Sequence, residues 1–410
     1  IGAAMGIAGV AGFAALAGLT PGLNLLANVP LSVLTDYNLI VIPMFILMGA
    51  FASHSGMSAE LFAAGRAWLH HRRGGLALAS VVACGGFSAI NGSSVATAAT
   101  MTQVALPEMR RSGYEPGISA GLIAAGGTLG ILIPPSVILV IYGIMTETDI
   151  TKLFAAGVVP GLLAVVLYSS VVALIAHLRP EWMPRGEWHG WGERFAALRP
   201  LWAVVVLFLF VLGGIYGGLF TVQEAAGVGA TGTLLIGIAR GRLRWREIRA
   251  ALISALRVSS AIMMIVVGAY LFGYFLTITQ FTQNAVDTLV GLPIGPYGVL
   301  ALVMLGYLVL GAVMDELAML LLTVPIVFPA MVQLGFDPVW FGVIVVMAVT
   351  FGMICPPVGM NVFVINSIAR DLPLGSIYRG TAPFIAADVV RLLILCAFPA
   401  LSLWLPGFIE

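Results

Sequence analysis

Charge is what this chain has least of. Asp, Glu, Lys and Arg make up only 9% of its 410 residues, against roughly a quarter in soluble domains, which excludes an ordinary soluble fold. Cysteine is scarce too. Cys84, Cys355 and Cys396 all lie in apolar segments, so they suggest neither a disulfide framework nor a metal site. There is no Walker sequence, so this chain does not hydrolyse ATP. No catalytic arrangement of nucleophile and base stands out, and an enzyme is not expected. No strands of about ten residues with alternating polarity occur, so an outer-membrane barrel is excluded. Basic residues are missing altogether between Arg257 and Arg370.

What is present in abundance is apolar sequence, 60% of the chain. Runs long enough to cross a bilayer, about 20 residues, recur along the whole length; residues 153–176, 201–218, 258–280 and 381–406 are plain cases. The fold class is an all-α polytopic membrane protein. The chain opens on Ile1, already in apolar sequence, and we expect a longer protein around it. The net charge of +1 says little, and a nucleic acid partner is not expected.

The placement of the 19 basic residues sets the topology. Five clusters stand out: Arg66, Arg72 and Arg73; Arg110 and Arg111; Arg179, Arg185, Arg194 and Arg199; Arg240 to Arg257; Arg370 and Arg379. Basic loops stay cytoplasmic, so all five share one side. Residues 74–109 are apolar with basic sequence at both ends, and 36 residues are too few for two crossings of about 20 each plus a turn. A re-entrant hairpin fits, with its tip at "NGSS" (91–94). The expected path continues outward through 1–19 to an external loop at Asp36, back through 38–53, out through 117–145 and back through 153–176. Residues 201–218 and 222–239 make an excursion, and 258–280 go out again. The basic gap makes 296–334 a second hairpin, entered from outside, with its tip near "MDELA" (314–318). Residues 340–367 return, and 381–406 cross last.

Within this pattern "GTLGILIPPS" (127–136) has a counterpart in "VTFGMICPPV" (349–358). A shift of 222 residues aligns 107–135 with 329–357 at eight identities in 29 positions. They are Pro107, Met109, Gly113, Pro116, Thr128, Gly130, Pro134 and Pro135 with Pro329, Met331, Gly335, Pro338, Thr350, Gly352, Pro356 and Pro357. Six are Gly or Pro, the residues that set backbone shape. One copy follows a cytoplasmic hairpin and the other an external one, so the copies are expected to be inverted. Inverted repeats with interrupted helices mark secondary transporters with sites near the midplane. Proline in a helix interior removes a hydrogen bond and costs about 3 kcal/mol. The carbonyls left over suit a hard cation such as Na⁺, and half-helix N-termini at the tips suit an anion.

The segments "YNLIVIPMFILMGAFASHSGMS" (37–58), "INGSSVATAATM" (90–101), "ALPEMRRSGYEPG" (105–117), "GTLGILIPPSVILVIYG" (127–143), "LFAAGVVPGLL" (153–163) and "GFDPVWFGVIVVMAVTFGMICPPVGMNVFV" (335–364) carry a resemblance. They are similar to the large membrane subunit, DctM type, of tripartite ATP-independent periplasmic (TRAP) transporters, over nearly the whole chain. The resemblance implies an Na⁺-driven importer of a small organic acid anion, carboxylate or sulfonate, in a bacterial inner membrane. It implies two partners, a soluble periplasmic substrate-binding protein and a small four-helix membrane subunit of DctQ type. No four-helix unit is fused here, so the latter is expected as a separate chain. The family's first transmembrane helix is cut short or missing.

The resemblance also implies elevator-type movement of a transport domain against a scaffold. Residues 1–73 and 177–290 are then scaffold and connecting helices, and 74–176 and 291–410 carry the two transport-domain repeats. The implied first Na⁺ site uses Asn91, Gly92, Ser93 and Ser94 with Thr128, Gly130 and Pro134. The implied second uses Asp315 with Thr350, Gly352, Pro356, Val358 and Gly359. Substrate would sit between the tips, with Ser94, Ser136, Asn361 and Arg391 as candidates.

Some residues allow two readings. Asp315 and Glu316 are acids at membrane depth, where an ionisable residue is functional by default; the alternative is simple solvation at a wet tip. Asp388 and Arg391, three apart, either pair on one helix face or free Arg391 for a substrate carboxylate. His70 and His71, beside Arg72 and Arg73, end an amphipathic surface segment (58–73) suited to lipid headgroups. "RGRLRWREIR" (240–249) reads as an interfacial helix, and Trp182, Trp188 and Trp191 as membrane-surface anchors. Two rivals to the tripartite permease remain: a stand-alone Na⁺–carboxylate symporter, and a channel or structural protein.

Overall fold

In hydrocarbon every backbone N–H and C=O needs an internal partner, so long apolar runs must fold as helices. The computed structural model describes residues 1–409, and among them the regular structure is all helical. The first group is α1 (Gly2–Ala17), α2 (Leu19–Leu34), α3 (Val41–His54) and α4 (Met57–Leu69). Next come α5 (Gly75–Asn91), α6 (Ser94–Arg111), α7 (Pro116–Leu132), α8 (Val137–Thr146) and α9 (Ile150–Leu178). A linker leads to α10 (Trp191–Leu198), α11 (Trp202–Tyr216), α12 (Val222–Ala239), α13 (Trp245–Ile278) and α14 (Phe281–Val290). The last group is α15 (Gly295–Gly311), α16 (Glu316–Gln333), α17 (Pro338–Gly352), α18 (Met360–Ile368), α19 (Leu374–Ala397) and α20 (Ala400–Leu403). Seven helical stretches are long and apolar enough to cross a bilayer, and the pair α7–α8, bent by 41°, makes an eighth.

Local chemistry sets the boundaries. Glu115 accepts from the Ile118 amide ahead of Pro116 at the start of α7. Asp337 does the same for α17, accepting from Val339 and Trp340 ahead of Pro338. Each supplies a side-chain oxygen to orphan amides, with proline where its missing N–H costs nothing. Both hairpins form where expected: α5–α6 turn at Gly92 and Ser93, and α15–α16 at residues 312–315. Both breaks form too, over residues 133–136 and 353–359.

The structure corrects the sequence reading in three places. Residues 20–34, read from sequence as part of an external loop, lie in α2, which folds back on α1 at Gly18 (φ 100°). The fourth basic cluster is not a separate interfacial helix. Its residues from Trp245 onward are the first turns of α13, one rod of 34 residues, or about 51 Å. That length exceeds the hydrocarbon core, about 30 Å, and leaves the arginines beyond it. The last span runs from Leu374 to Ala397 rather than through 381–406, because Pro399 restricts Phe398 before it and ends the helix. Trp188 and Trp191, both exposed, also flank a cation. The buried Arg194 guanidinium lies 3.7 Å from the Trp188 ring centroid and 5.1 Å from that of Trp191, and it bonds His71 Nδ1 at 3.1 Å.

Ion pairs and one backbone bridge gather the five basic clusters at one end of the molecule. Arg66 pairs with Glu108, Arg110 with Asp371, and Arg240 with Glu60, all at 2.7–2.8 Å. The backbones of Arg73 and Arg185 pair as an isolated antiparallel β-bridge, which brings the third cluster to the first. The hydrogen bond from Arg110 holds the Asp371 carboxyl below the usual carboxylate range. The start of α7 lies at this end, with Gly117 against Ser376. At the opposite end Tyr142 Oη, late in α8, donates to Pro338 O at the start of α17 (2.8 Å). So α7–α8 runs away from the basic end, and α17–α18 runs towards it.

Candidate functional site

Pro134 and Pro135 have no N–H, so the carbonyls of Gly130 and Ile131 lose the donor four residues on. Among the described residues none donates to the carbonyls of Ile133, Pro134 or Pro135. The tip of the first hairpin is seated on this break. Gly92 is left-handed (φ 61°), which needs glycine, and it faces Pro135 O and Ser136. Ser93 caps α6 through a long bond from the Ala96 amide (3.4 Å). A methyl added at Gly130 would lie 2.9 Å from Ser93 O, so helix and tip touch backbone to backbone. Asn91 Nδ2 reaches Thr97 Oγ1 at 3.3 Å and Ser93 O at 3.4 Å.

The second hairpin meets the second break in the same way. A methyl at Gly352 would overlap Gly311, and Val358 N donates to Ala312 O at 3.2 Å. The carbonyls here are largely engaged. Tyr378 Oη donates to Pro357 O and Val358 O (3.0 and 2.7 Å), and Asn361 N donates to Met353 O (3.1 Å). Gly359 is left-handed (φ 54°) and starts α18. Pro356 and Pro134 each precede a second proline across a cis bond.

The two halves meet at Asn361. Its Nδ2 donates to Ser94 Oγ (2.7 Å) and to Ala124 O (2.9 Å), so α18 is tied to the first tip. Between the tips lies a cavity of about 370 Å³, within the range of small-molecule sites. Asn91, Gly92 and Ser93 line it from the first hairpin, Glu316 and Leu317 from the second, and Val137 and Ile138 from α8. Ser53 and His54 of α3, Thr100 of α6 and Ser254 of α13 continue the wall. Gly49 of α3 lets the tip come close: a methyl there would overlap Asn91 Oδ1.

Other candidate residues stand elsewhere. Thr128 and Thr350 are fully buried and turn back on their own helices, donating to Ala125 O and Met347 O (2.6 and 2.7 Å). Asp315 caps α16, its Oδ1 taking the amides of Leu317 and Ala318. Ser136, fully buried, caps α8. Arg391 lines no part of the cavity. It pairs with Asp388 at 2.8 Å, both side chains at most 2% exposed. Tyr168 Oη donates to Asp388 and lies 3.2 Å from Thr128 Oγ1, which connects the ion pair to the helix before the first break. Sequence reasoning weighed Glu316 without placing it in a site, and it missed Ser53, His54, Thr100, Tyr168 and Tyr378. These sit in ordinary helical sequence with no local signal.

With this geometry in hand, the comparisons are clear. The large permease DctM of the C4-dicarboxylate TRAP transporter of Pseudomonas aeruginosa is 38% identical over 375 residues, 91% of this chain and 87% of that protein. The large permease TeaC of the ectoine TRAP transporter of Halomonas elongata is 31% identical over 90% of this chain and 86% of its own length. Among solved structures the YdaH transporter of Alcanivorax borkumensis superposes with a TM-score of 0.61, covering 95% of this chain and 90% of that one. At 15% identity that likeness is one of fold alone. The pattern of the family described as the tripartite ATP-independent periplasmic transporter, DctM component, matches residues 1–401, and the chain belongs to that family.

Proposed function

We propose that this chain is the permease of an Na⁺-coupled importer for a small organic acid, moving it by an elevator mechanism across a bacterial inner membrane. One observation carries the reading: two hairpin tips, each seated on a proline-opened helix, border a single cavity. The opposed directions of α7–α8 and α17–α18 support an inverted repeat. Residues 74–176 and 291–410 then form the moving part, and 1–73 with 177–290 the scaffold. One Na⁺ sits on the first tip and the carbonyls after Gly130, the other on the second tip and the carbonyls around Val358. Asn361 and Ser94 couple the two halves. The cargo occupies the cavity, its anionic end at the start of α6, where amides and helix dipole favour negative charge. The cavity wall continues to His54 and Ser254, towards the basic end, which supports a cytoplasm-facing state under the positive-inside rule.

Relatives named for C4-dicarboxylate and for ectoine favour an organic acid, handed over by a periplasmic binding protein with a small membrane subunit beside the permease. The test is uptake into proteoliposomes. Uptake is expected only when both partners are present and an inward Na⁺ gradient is imposed. Uptake by this chain alone favours a stand-alone symporter. Uptake indifferent to Na⁺ refutes cation coupling.

A further inference from the structure

The cavity between the tips contains an acid that the organic-acid reading does not use. Glu316 is the one carboxylate in its lining, which includes no Lys or Arg. Among the described residues nothing bonds the Glu316 carboxylate, and its Oε2 is buried with no partner. A carboxylate withdrawn from water needs a donor. Its place in the first turn of α16 gives it a favourable dipole but no hydrogen bond to that oxygen. The neighbouring Asp315 cannot help, since it is a second acid and is engaged as the cap of α16.

The lining from the first hairpin, Ser93, Val95 and Ala96, has the complementary character. Ser93 Oγ takes the Ala96 amide, and Thr97 N bonds Ser93 O. The Ser94 and Val95 amides that precede them are open at the head of the 18-residue α6. An anion belongs there. A cargo with a second anionic end would set it against Glu316 with no Lys or Arg in the lining to compensate.

We propose that the cargo is a zwitterion, an organic acid that also has a cationic nitrogen bearing hydrogen, with its acid at the start of α6 and its N–H on Glu316. This rests on the reading of the cavity as the cargo site. Charge complementarity then selects an amino or amidinium acid over a dicarboxylate of equal length.

The experiment has two arms. In the first, the binding protein that serves this permease is purified with its natural ligand, and the ligand is released and identified by mass spectrometry. A ligand with a protonatable nitrogen is expected; a nitrogen-free acid overturns the proposal. In the second, the complete three-component transporter is assayed with that ligand. Glu316→Gln is expected to lower kcat/KM at least tenfold, leave the Na⁺ concentration for half-maximal uptake unchanged, and be partly rescued by Glu316→Asp. A raised Na⁺ requirement with kcat/KM intact at saturating Na⁺ makes Glu316 a cation ligand and overturns the proposal. Failure of the transporter reading looks different: the wild-type complex then shows no Na⁺-driven uptake of any ligand.

Discussion

Gly130 and Ser93 show how narrow the tolerances are at the residue scale. With only 2.9 Å between an added methyl and Ser93 O, Gly130→Ala must push the first tip off its break. The expected result is an Na⁺ requirement raised tenfold or more, with membrane insertion intact. Gly306→Ala, where nothing lies within 4 Å, is the control and should transport like wild type. Equal uptake in both variants would remove Gly130 from the cation site. The buried pair Asp388–Arg391 is a matter of stability. Breaking a buried ion pair costs about 3–5 kcal/mol, while replacing both partners by apolar residues is often neutral. So Asp388→Asn and Arg391→Met should each lower the melting temperature in detergent, and Asp388→Leu with Arg391→Met should recover most of the loss. The spacing of three residues already allowed this pair. That it is sealed from the cavity and joined to Thr128 through Tyr168 could not be read, because Tyr168 is 220 residues from its partner.

At the scale of elements, the two broken helices are alike in sequence and unlike in detail. The matched Thr-x-Gly and Pro-Pro placed both breaks correctly, since proline removes a donor wherever it falls. Sequence did not foretell that Tyr378, from α19, occupies the carbonyls of the second break and leaves the first open. A hydrogen bond of this kind is worth about 1 kcal/mol, or roughly a fivefold change in an equilibrium. With those carbonyls freed, Tyr378→Phe should therefore lower the Na⁺ concentration for half-maximal uptake about fivefold, with the substrate KM at saturating Na⁺ unchanged. An unaltered Na⁺ curve would mean that the second break holds no coupling ion. The missed α2 has a simple cause: the segment 20–34 contains Pro21 and Pro30 and reads as a loop. Pro21 falls in the first turn of the helix, where no donor is lost, and Pro30 is accommodated inside it.

The whole molecule makes a mechanical prediction. Ser53 on α3 and Thr100 on α6 face each other across the proposed boundary between scaffold and moving part, their hydroxyl oxygens 3.3 Å apart. In a background with Cys355 and Cys396 replaced by Ala, Ser53→Cys with Thr100→Cys should be bridged by mercuric ion or by oxidation. Bridging should abolish uptake, and a reductant should restore it. Full uptake in the bridged protein would exclude sliding of these two surfaces. The basic end is the other global feature. Clusters far apart in the chain are joined there by Arg66–Glu108, Arg110–Asp371 and Arg240–Glu60, as a shared membrane side requires.

Composition, apolar run length, arginine placement and the two proline-opened segments determined the membrane class, the hairpins and the breaks. These follow from local rules: a backbone in lipid must bond to itself, proline cannot donate, and arginine stays on one side. What touches what was decided only by the tertiary structure. Asn361 on Ser94, Tyr378 on the second break, Gly49 against Asn91 and Glu316 facing the cavity are meetings of distant residues. Their energies depend on packing geometry, which no window of sequence contains.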